Sequence, residues 1–176
     1  MHLKKLDISD NKDISFVDNL YIDSFPPSER RSVEAMLDLF ENNDKFAIDM
    51  VIKDDQRVGF LTYWNLGKFV FAEHFAIAPE ARNGGIGGKV MNLFIKEVNK
   101  PIVLEVELPT TMFSERRVGF YQRLGFKYWE DIPYQQPSYH TGQNPIPMKL
   151  MTIGDIDLSK SFGEVKDAIY SEVYDL

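Results

Sequence analysis

The sequence predicts a mixed α/β fold built on a mostly antiparallel sheet flanked by helices. Two observations carry this. Segments 46–52, 58–64 and 69–77 are rich in aromatic and aliphatic residues and are separated by the short polar turns 53–57 and 65–68. Strands joined by such short turns form an antiparallel meander. The third segment is then followed by a helix pattern and by another apolar segment, 102–108. That strand–helix–strand order calls for a parallel crossover.

The elements follow in order. Residues 3–8 can form a first strand, and Ile14, Val17, Leu20 and Tyr21 recur at helical spacing. Phe25-Pro26-Pro27 ends that helix, because proline restricts itself and the residue before it. Ser28 is the predicted N-cap of a second helix, with Val33, Met36, Leu37 and Phe40 on its apolar face. After the meander, residues 78–85 read as a loop. It opens into a helix with Ile86, Val90, Leu93, Phe94 and Val98 along one face, stopped by Pro101. Ser114 is expected to cap a third helix running to Leu124, with Gly125 as its stop. Phe126 begins another strand, and 131–147 reads as a long aromatic and proline-rich loop. Residues 148–153 form the last predicted strand, and Leu158, Phe162, Val165, Ile169 and Val173 stripe a C-terminal helix. No repeat or linker interrupts the chain, so residues 1–176 are expected to be one domain.

Composition narrows the chemistry. The 176 residues contain no cysteine, which excludes disulfides, thiolate metal sites and an acyl-cysteine intermediate. The three histidines, His2, His74 and His140, match no zinc spacing, so no metal is expected. The formal net charge of −7 argues against nucleic-acid or anionic-membrane partners, which want a basic face. No apolar run approaches the ~20 residues of a membrane span. Nor do the first residues form a signal peptide, so a cytoplasmic location is expected.

One segment points to a ligand. Arg82-Asn83-Gly84-Gly85-Ile86-Gly87-Gly88-Lys89 lies between a predicted strand and a predicted helix. Glycines let backbone N–H groups converge there, and a helix N-terminus adds about half a positive charge. Together with Arg82 these suit a phosphate. A P-loop would need glycine at Asn83 and Ser or Thr at Val90, and a dinucleotide fingerprint starting at Gly85 would need glycine at Val90. The pattern R/Q-x-x-G-x-G/A is met in full by Arg82, Gly85 and Gly87.

That pattern resembles the CoA-binding motif of the GNAT superfamily of N-acetyltransferases. Residues 75–82 resemble the family's fourth strand and the lead into its loop. Residues 119–126, Gly-Phe-Tyr-Gln-Arg-Leu-Gly-Phe, resemble its second signature, a helix ending in Tyr-x-x-x-Gly-Phe, about 35 residues after the first. The order of elements over 1–126 matches the family, while 127–176 adds little to the match. One departure is Ser114, which stands where the family often has asparagine.

The resemblance implies direct acetyl transfer from acetyl-CoA, as cosubstrate, to a primary amine of a small molecule or peptide. It implies a parallel strand pair splayed around the cofactor. Residues 82–88 would hold the pyrophosphate, Phe75, Ala76 and Ile77 would offer backbone N–H groups near the thioester, and Ser114 would contact the cofactor. Tyr121 stands at the position of the acid that protonates the leaving thiolate. Glu73, on the predicted strand with Phe71, Phe75 and Ile77, is the candidate base; a salt bridge to an arginine or lysine is the competing role. His74 is a lesser candidate that a strand bulge would bring beside Glu73. Glu105 and Glu107 share one face of their strand and can form an acidic wall for a cationic amine. The family lines its acceptor site with the turn 25–31 and the loop 131–147, which contains Tyr134, Tyr139 and His140; that loop can equally serve a homodimer contact. A non-catalytic CoA-binding domain of the same fold is the alternative.

Overall fold

A computed structural model describes residues 1–82 and 84–176. The described ladders are antiparallel, except for one parallel pair. This is the mixed, mostly antiparallel α/β class that the sequence predicts. The described residues fall into two compact units, 1–64 with 73–98, and 65–72 with 99–176.

The first unit opens with strand β1 (His2–Lys5) and helix α1 (Asn11–Ser24). Asp10 caps α1 by accepting from the Lys12 N–H. Val17, Leu20 and Tyr21 are buried, as their spacing predicts. Asp13 on the same helix is also fully buried, which periodicity alone does not foresee. It is held by Lys4 at 2.9 Å and by Arg57 Nε at 2.6 Å. Burial raises its pKa, but these two cations outweigh burial and hold the carboxyl below its ordinary range.

After Phe25 the chain makes a short 3-10 turn, Pro27–Glu29, and then runs extended to Ser32. Helix α2 (Val33–Asn42) therefore starts later than Ser28. Its cap is Ser32, whose hydroxyl accepts from the Ala35 N–H. The prolines explain the shift, since they favour the tighter turn over an α-helical start.

Strands β2 (Phe46–Lys53) and β3 (Gln56–Asn65) pair antiparallel, and β1 pairs β2. Strand β4 (Val70–Ile77) follows. Gly59 lets β3 approach the end of β4. A Cβ at Gly59 would lie 2.5 Å from the Ala76 carbonyl oxygen, so no larger residue fits. Helix α3 (Ile86–Val98) buries Ile86, Val90, Met91 and Phe94.

The second unit begins with the start of β4. Val70–Ala72 pair in parallel with residues 102–104 of β5 (Ile102–Glu107). Helix α4 (Met112–Arg123) starts two residues before the predicted Ser114 cap. Thr111 is the N-cap, and Ser114 is the third helical residue of a reciprocal capping box. Gly125, at φ +95°, ends the helix as expected.

Strands β6 (Lys127–Tyr128), β7 (Tyr134–Gln136) and β8 (Ile146–Ile153) come next. β8 pairs antiparallel with β5, β6 and β7. The segment 131–147 is thus not wholly a loop, because β7 lies within it. Three residues are too few to show an alternating pattern against prolines on both sides. Helix α5 (Leu158–Val173) buries the stripe Leu158, Val165, Ile169 and Val173, while Phe162 is half-buried.

Candidate active site

The glycine loop joins the end of β4 to α3. Gly84 and Gly85 have φ of +78° and +71°, the left-handed region that other residues adopt at a cost. Among the described residues nothing lies within 4 Å of where a Cβ would stand on either, so their backbone faces open space there. The Lys89 N–H closes a helical bond to the Gly85 carbonyl at 3.2 Å. The N–H groups of the preceding first-turn residues, Gly87 and Gly88 among them, have no helical acceptor, as at any helix start. Open backbone, orphan donors and the positive end of α3 fit a pyrophosphate. Arg82 is tied back to β4 by its Nε, which donates to the Ile77 carbonyl at 2.9 Å. This fixes the loop's departure from the strand. Ile86 is buried, so its side chain belongs to the core. Asn83 lies outside the described residues.

On β4, Phe75 is half-buried, while Ala76 and Ile77 are buried. The parallel ladder to β5 ends at Ala72↔Leu104, and β4 continues five residues further. Phe75, Ala76 and Ile77, which the resemblance would place near the thioester, lie in this stretch beyond the β5 ladder.

Glu73 sits at the centre of a buried polar network. Its side chain is 1% exposed and ion-paired with Arg31, itself 11% exposed. Its other carboxylate oxygen accepts from Trp64 Nε1 at 3.2 Å and from the Thr62 hydroxyl at 3.4 Å. Burial would raise its pKa, but the Arg31 guanidinium and then His74 outweigh this and hold it far below the usual carboxylate range.

His74 stands beside Glu73 rather than on the opposite face. Its Nδ1 is 3.6 Å from the Glu73 carboxylate and 3.1 Å from the Thr62 hydroxyl. Its Nε2 is 3.0 Å from the Glu29 carbonyl, so Nε2 carries the proton and donates. Phe25 and Tyr21 pack edge-on against the ring, at centroid distances of 4.6 and 5.0 Å. Two adjacent β4 residues thus grip the 25–31 turn, one by Arg31 and the other by Glu29. Thr62 and Trp64 gave no signal in the sequence beyond lying on a predicted strand.

In the second unit, Glu105 lies within a cage of donors. One carboxylate oxygen accepts from Tyr134. The other accepts from Gln136 Nε2 and from the Tyr174 hydroxyl, both at 2.9 Å. Burial, and then the adjacent Glu105 charge, push the Tyr134 phenol far above its ordinary pKa, so it remains a donor. Tyr139 joins through its ring, 5.1 Å from that of Tyr174, with the two hydroxyls 3.4 Å apart. Gln136 and Tyr174 were missed. Gln136 follows Tyr134 by two and so shares its strand face, a relation hidden until β7 is recognised. Glu107 is on the same side of β5 but pairs with Arg117 at 2.6 Å, both partly exposed.

Tyr121 lies in the last turns of α4 and is half-buried. Phe120 and Phe126 flank its ring at 5.1 and 5.4 Å. Burial pushes its pKa up to about 12, with Arg117 opposing, so the phenol is protonated at neutral pH. Among the described residues, no group hydrogen-bonds its hydroxyl. The Ser114 hydroxyl, by contrast, is engaged with the Thr111 backbone, donating to its carbonyl and accepting from its N–H, both at 3.0 Å.

A mixed sheet whose fourth strand leads through a glycine-rich turn into a helix start is an arrangement that suits a phosphate-bearing cofactor. A family model described as the acetyltransferase (GNAT) family matches residues 14–126. A curated relative from Bacillus subtilis (strain 168), assigned as the acetyltransferase YjbC, is 32% identical over 121 residues. That match covers 68% of this chain and 60% of the relative. A solved structure from Bacteroides thetaiotaomicron, assigned to the GNAT acetyltransferases, is 35% identical with a TM-score of 0.96. It is matched over 100% of this chain and 99% of its own. An aminoglycoside 6'-N-acetyltransferase complexed with coenzyme A shares the fold alone: 18% identity and TM-score 0.61, over 89% of this chain and all of that one. This chain belongs to the GNAT acetyltransferase family, whose acyl donor is acetyl-CoA.

Proposed function

We propose that the protein transfers the acetyl group of acetyl-CoA directly to a primary amine of a small molecule or peptide. The observation that carries this is the open loop at Gly84 and Gly85 ahead of α3. Its backbone would take the cofactor pyrophosphate, and the N–H groups of residues 75–77 would face the thioester carbonyl as an oxyanion site. In the transfer, the amine nitrogen bonds to the carbonyl carbon and the carbon–sulfur bond breaks. CoA leaves as a thiolate and takes a proton from the Tyr121 hydroxyl, while the nitrogen loses one.

Glu73 is the proposed receiver of the amine proton. Ionised at neutral pH, it is in the state that a base needs. The same lowered pKa that keeps it ionised also makes it a weak proton acceptor. Its burial under Arg31 supports a second role, holding the 25–31 turn that lines the acceptor site in this family. Glu105 and Tyr134, with Glu107 and Tyr139, are proposed to attract the acceptor's ammonium. The test is release of free thiol from acetyl-CoA in the presence of a panel of amines. Thiol release that depends on the amine is expected. CoA binding without it would favour a non-catalytic CoA-binding domain.

A further inference from the structure

Leu108 just after β5, the β7–β8 hairpin and α5 line an open, solvent-facing cavity of about 520 Å³. That lies within the ~300–1,000 Å³ of small-molecule sites. Its apolar wall includes Tyr134, Met148, Phe162 and Tyr170. Two lysines also line it, Lys149 and Lys166, and among the described residues that line it there is no carboxylate. On a chain of formal net charge −7, this is a local reversal of sign.

The two ammonium groups differ in how they are held. Lys149 donates to the Glu130 carbonyl and, at 3.1 Å, to the Ile132 carbonyl. Both partners are neutral, so its charge is oriented without being cancelled, and one of its three N–H groups has no acceptor among the described residues. Lys166 lies over the Tyr170 ring, 5.4 Å from its centroid. Its other partner is the 75%-exposed carboxylate of Asp167 at 3.5 Å, a weak, solvent-screened pair. An oriented positive charge over an aromatic and aliphatic wall suits an organic anion with an apolar body.

Tyr134 connects this cavity to the acidic cage. Its ring lines the cavity, and its hydroxyl donates to Glu105. We propose that the cavity holds the carboxylate end of the acceptor, which makes the acceptor a zwitterion: a primary amine joined to a carboxylate through an apolar body. This rests on the acetyl-transfer reading and narrows its substrate class. The ammonium end meets the Glu105 side of Tyr134, and the carboxylate end meets Lys149 and Lys166. A polyamine would bring a second cation against the lysines and be repelled.

The test separates binding from turnover. Hexanoate and hexanol are titrated against the protein, with the methionine methyls followed by NMR, and 6-aminohexanoate is compared with hexylamine as acceptor. Hexanoate is expected to bind about tenfold tighter than hexanol and to shift Met148, the scale of one charge-assisted hydrogen bond. Lys166→Gln, a change on the surface of α5, should shrink that difference several-fold. 6-Aminohexanoate should exceed hexylamine about tenfold in kcat/KM. Equal binding of hexanoate and hexanol overturns the proposal, whatever the activity. Hexanoate binding with no preference between the two amines overturns the acceptor role. Hexanoate binding in a protein that acetylates no amine sinks the acetyl-transfer reading and this assignment with it, and leaves the anion site standing.

Discussion

Arg31 and Glu73 are 42 residues apart in sequence and form an ion pair with side chains 11% and 1% exposed. The pair fastens the connector before α2 to the middle of β4. A single such pair contributes little net stability, because desolvation offsets the attraction, but removing one partner leaves a buried charge. Arg31→Met is therefore expected to destabilise the fold by roughly 3–5 kcal/mol, the scale of breaking a buried pair. Glu73→Gln should cost less, because the amide keeps acceptor capacity for Trp64 and Thr62, and Arg31 can reach water. Denaturant unfolding of both variants and of the double mutant measures this, and the double mutant should be more stable than Arg31→Met.

The same pair sets an acid limb of stability. Both Glu73 and Asp13 have folded-state pKa values held below their unfolded ones. Their contribution is fully present above the unfolded carboxyl range of ~4 and is lost as pH falls through the lower folded values. Thermal melts from pH 7 down to pH 2 should show the wild type losing stability below about pH 4.5. Glu73→Gln should lose less over that span. Parallel curves would remove Glu73 from the linkage.

The loop makes a separate prediction. Gly85→Val places a β-branched side chain at φ +71°, where left-handed backbone costs roughly 1–2 kcal/mol. The new atoms meet open space, so the protein should still fold. They would stand where the pyrophosphate approaches, and CoA affinity by titration calorimetry should fall about tenfold or more. Unchanged affinity in the folded variant would take the loop out of the cofactor site.

Much of this was legible because it is carried by period and punctuation. The meander, the crossover helix and the α5 stripe each repeat apolar residues at spacings that declare their type. The glycine loop declares itself by composition. What was not legible depends on long-range geometry. Nothing in the local sequence marks Asp13 of α1 for burial, which depends on Lys4 from β1 and Arg57 from β3. His74 belongs on the far face of a regular strand, yet it shares the Thr62 hydroxyl with Glu73. Ser28 and Ser114 are good caps locally, but the proline turn and Thr111 take precedence. β7 is three residues long and stabilised by β8, so its own sequence could not announce it.

Glu105 and Glu107 looked equivalent in sequence, and the structure separates them. Glu105 is caged by Tyr134, Gln136 and Tyr174, whereas Glu107 holds a half-exposed pair with Arg117. Glu105→Gln should raise KM for cationic amines about tenfold, by removing an oriented charge in a poorly solvated place. Glu107→Gln should change KM less than about twofold, since exposed pairs are worth ~0–1 kcal/mol. Steady-state kinetics with a cationic and a neutral acceptor reads both. Equal effects of the two substitutions would return these residues to a common, structural role.

Tyr121→Phe addresses the chemical step. The substitution removes one hydroxyl and keeps the ring between Phe120 and Phe126. Because no described group hydrogen-bonds that hydroxyl, its loss leaves no buried partner unsatisfied, and stability should change little. If the phenol protonates the leaving thiolate, kcat should fall by roughly 10²–10⁴, the usual contribution of a general acid. CoA affinity should stay within about twofold, since the substitution leaves the proposed pyrophosphate site at Gly84 to Gly88 untouched. The pH profile gives the sign. With its pKa pushed up to about 12, Tyr121 stays protonated through the working range, so wild-type turnover should rise with pH as free amine accumulates. No alkaline limb from this group is expected below about pH 11. In Tyr121→Phe the rising limb should persist at a lowered plateau, because the amine's own titration is untouched. Near-normal kcat in the variant would exclude Tyr121 as the acid.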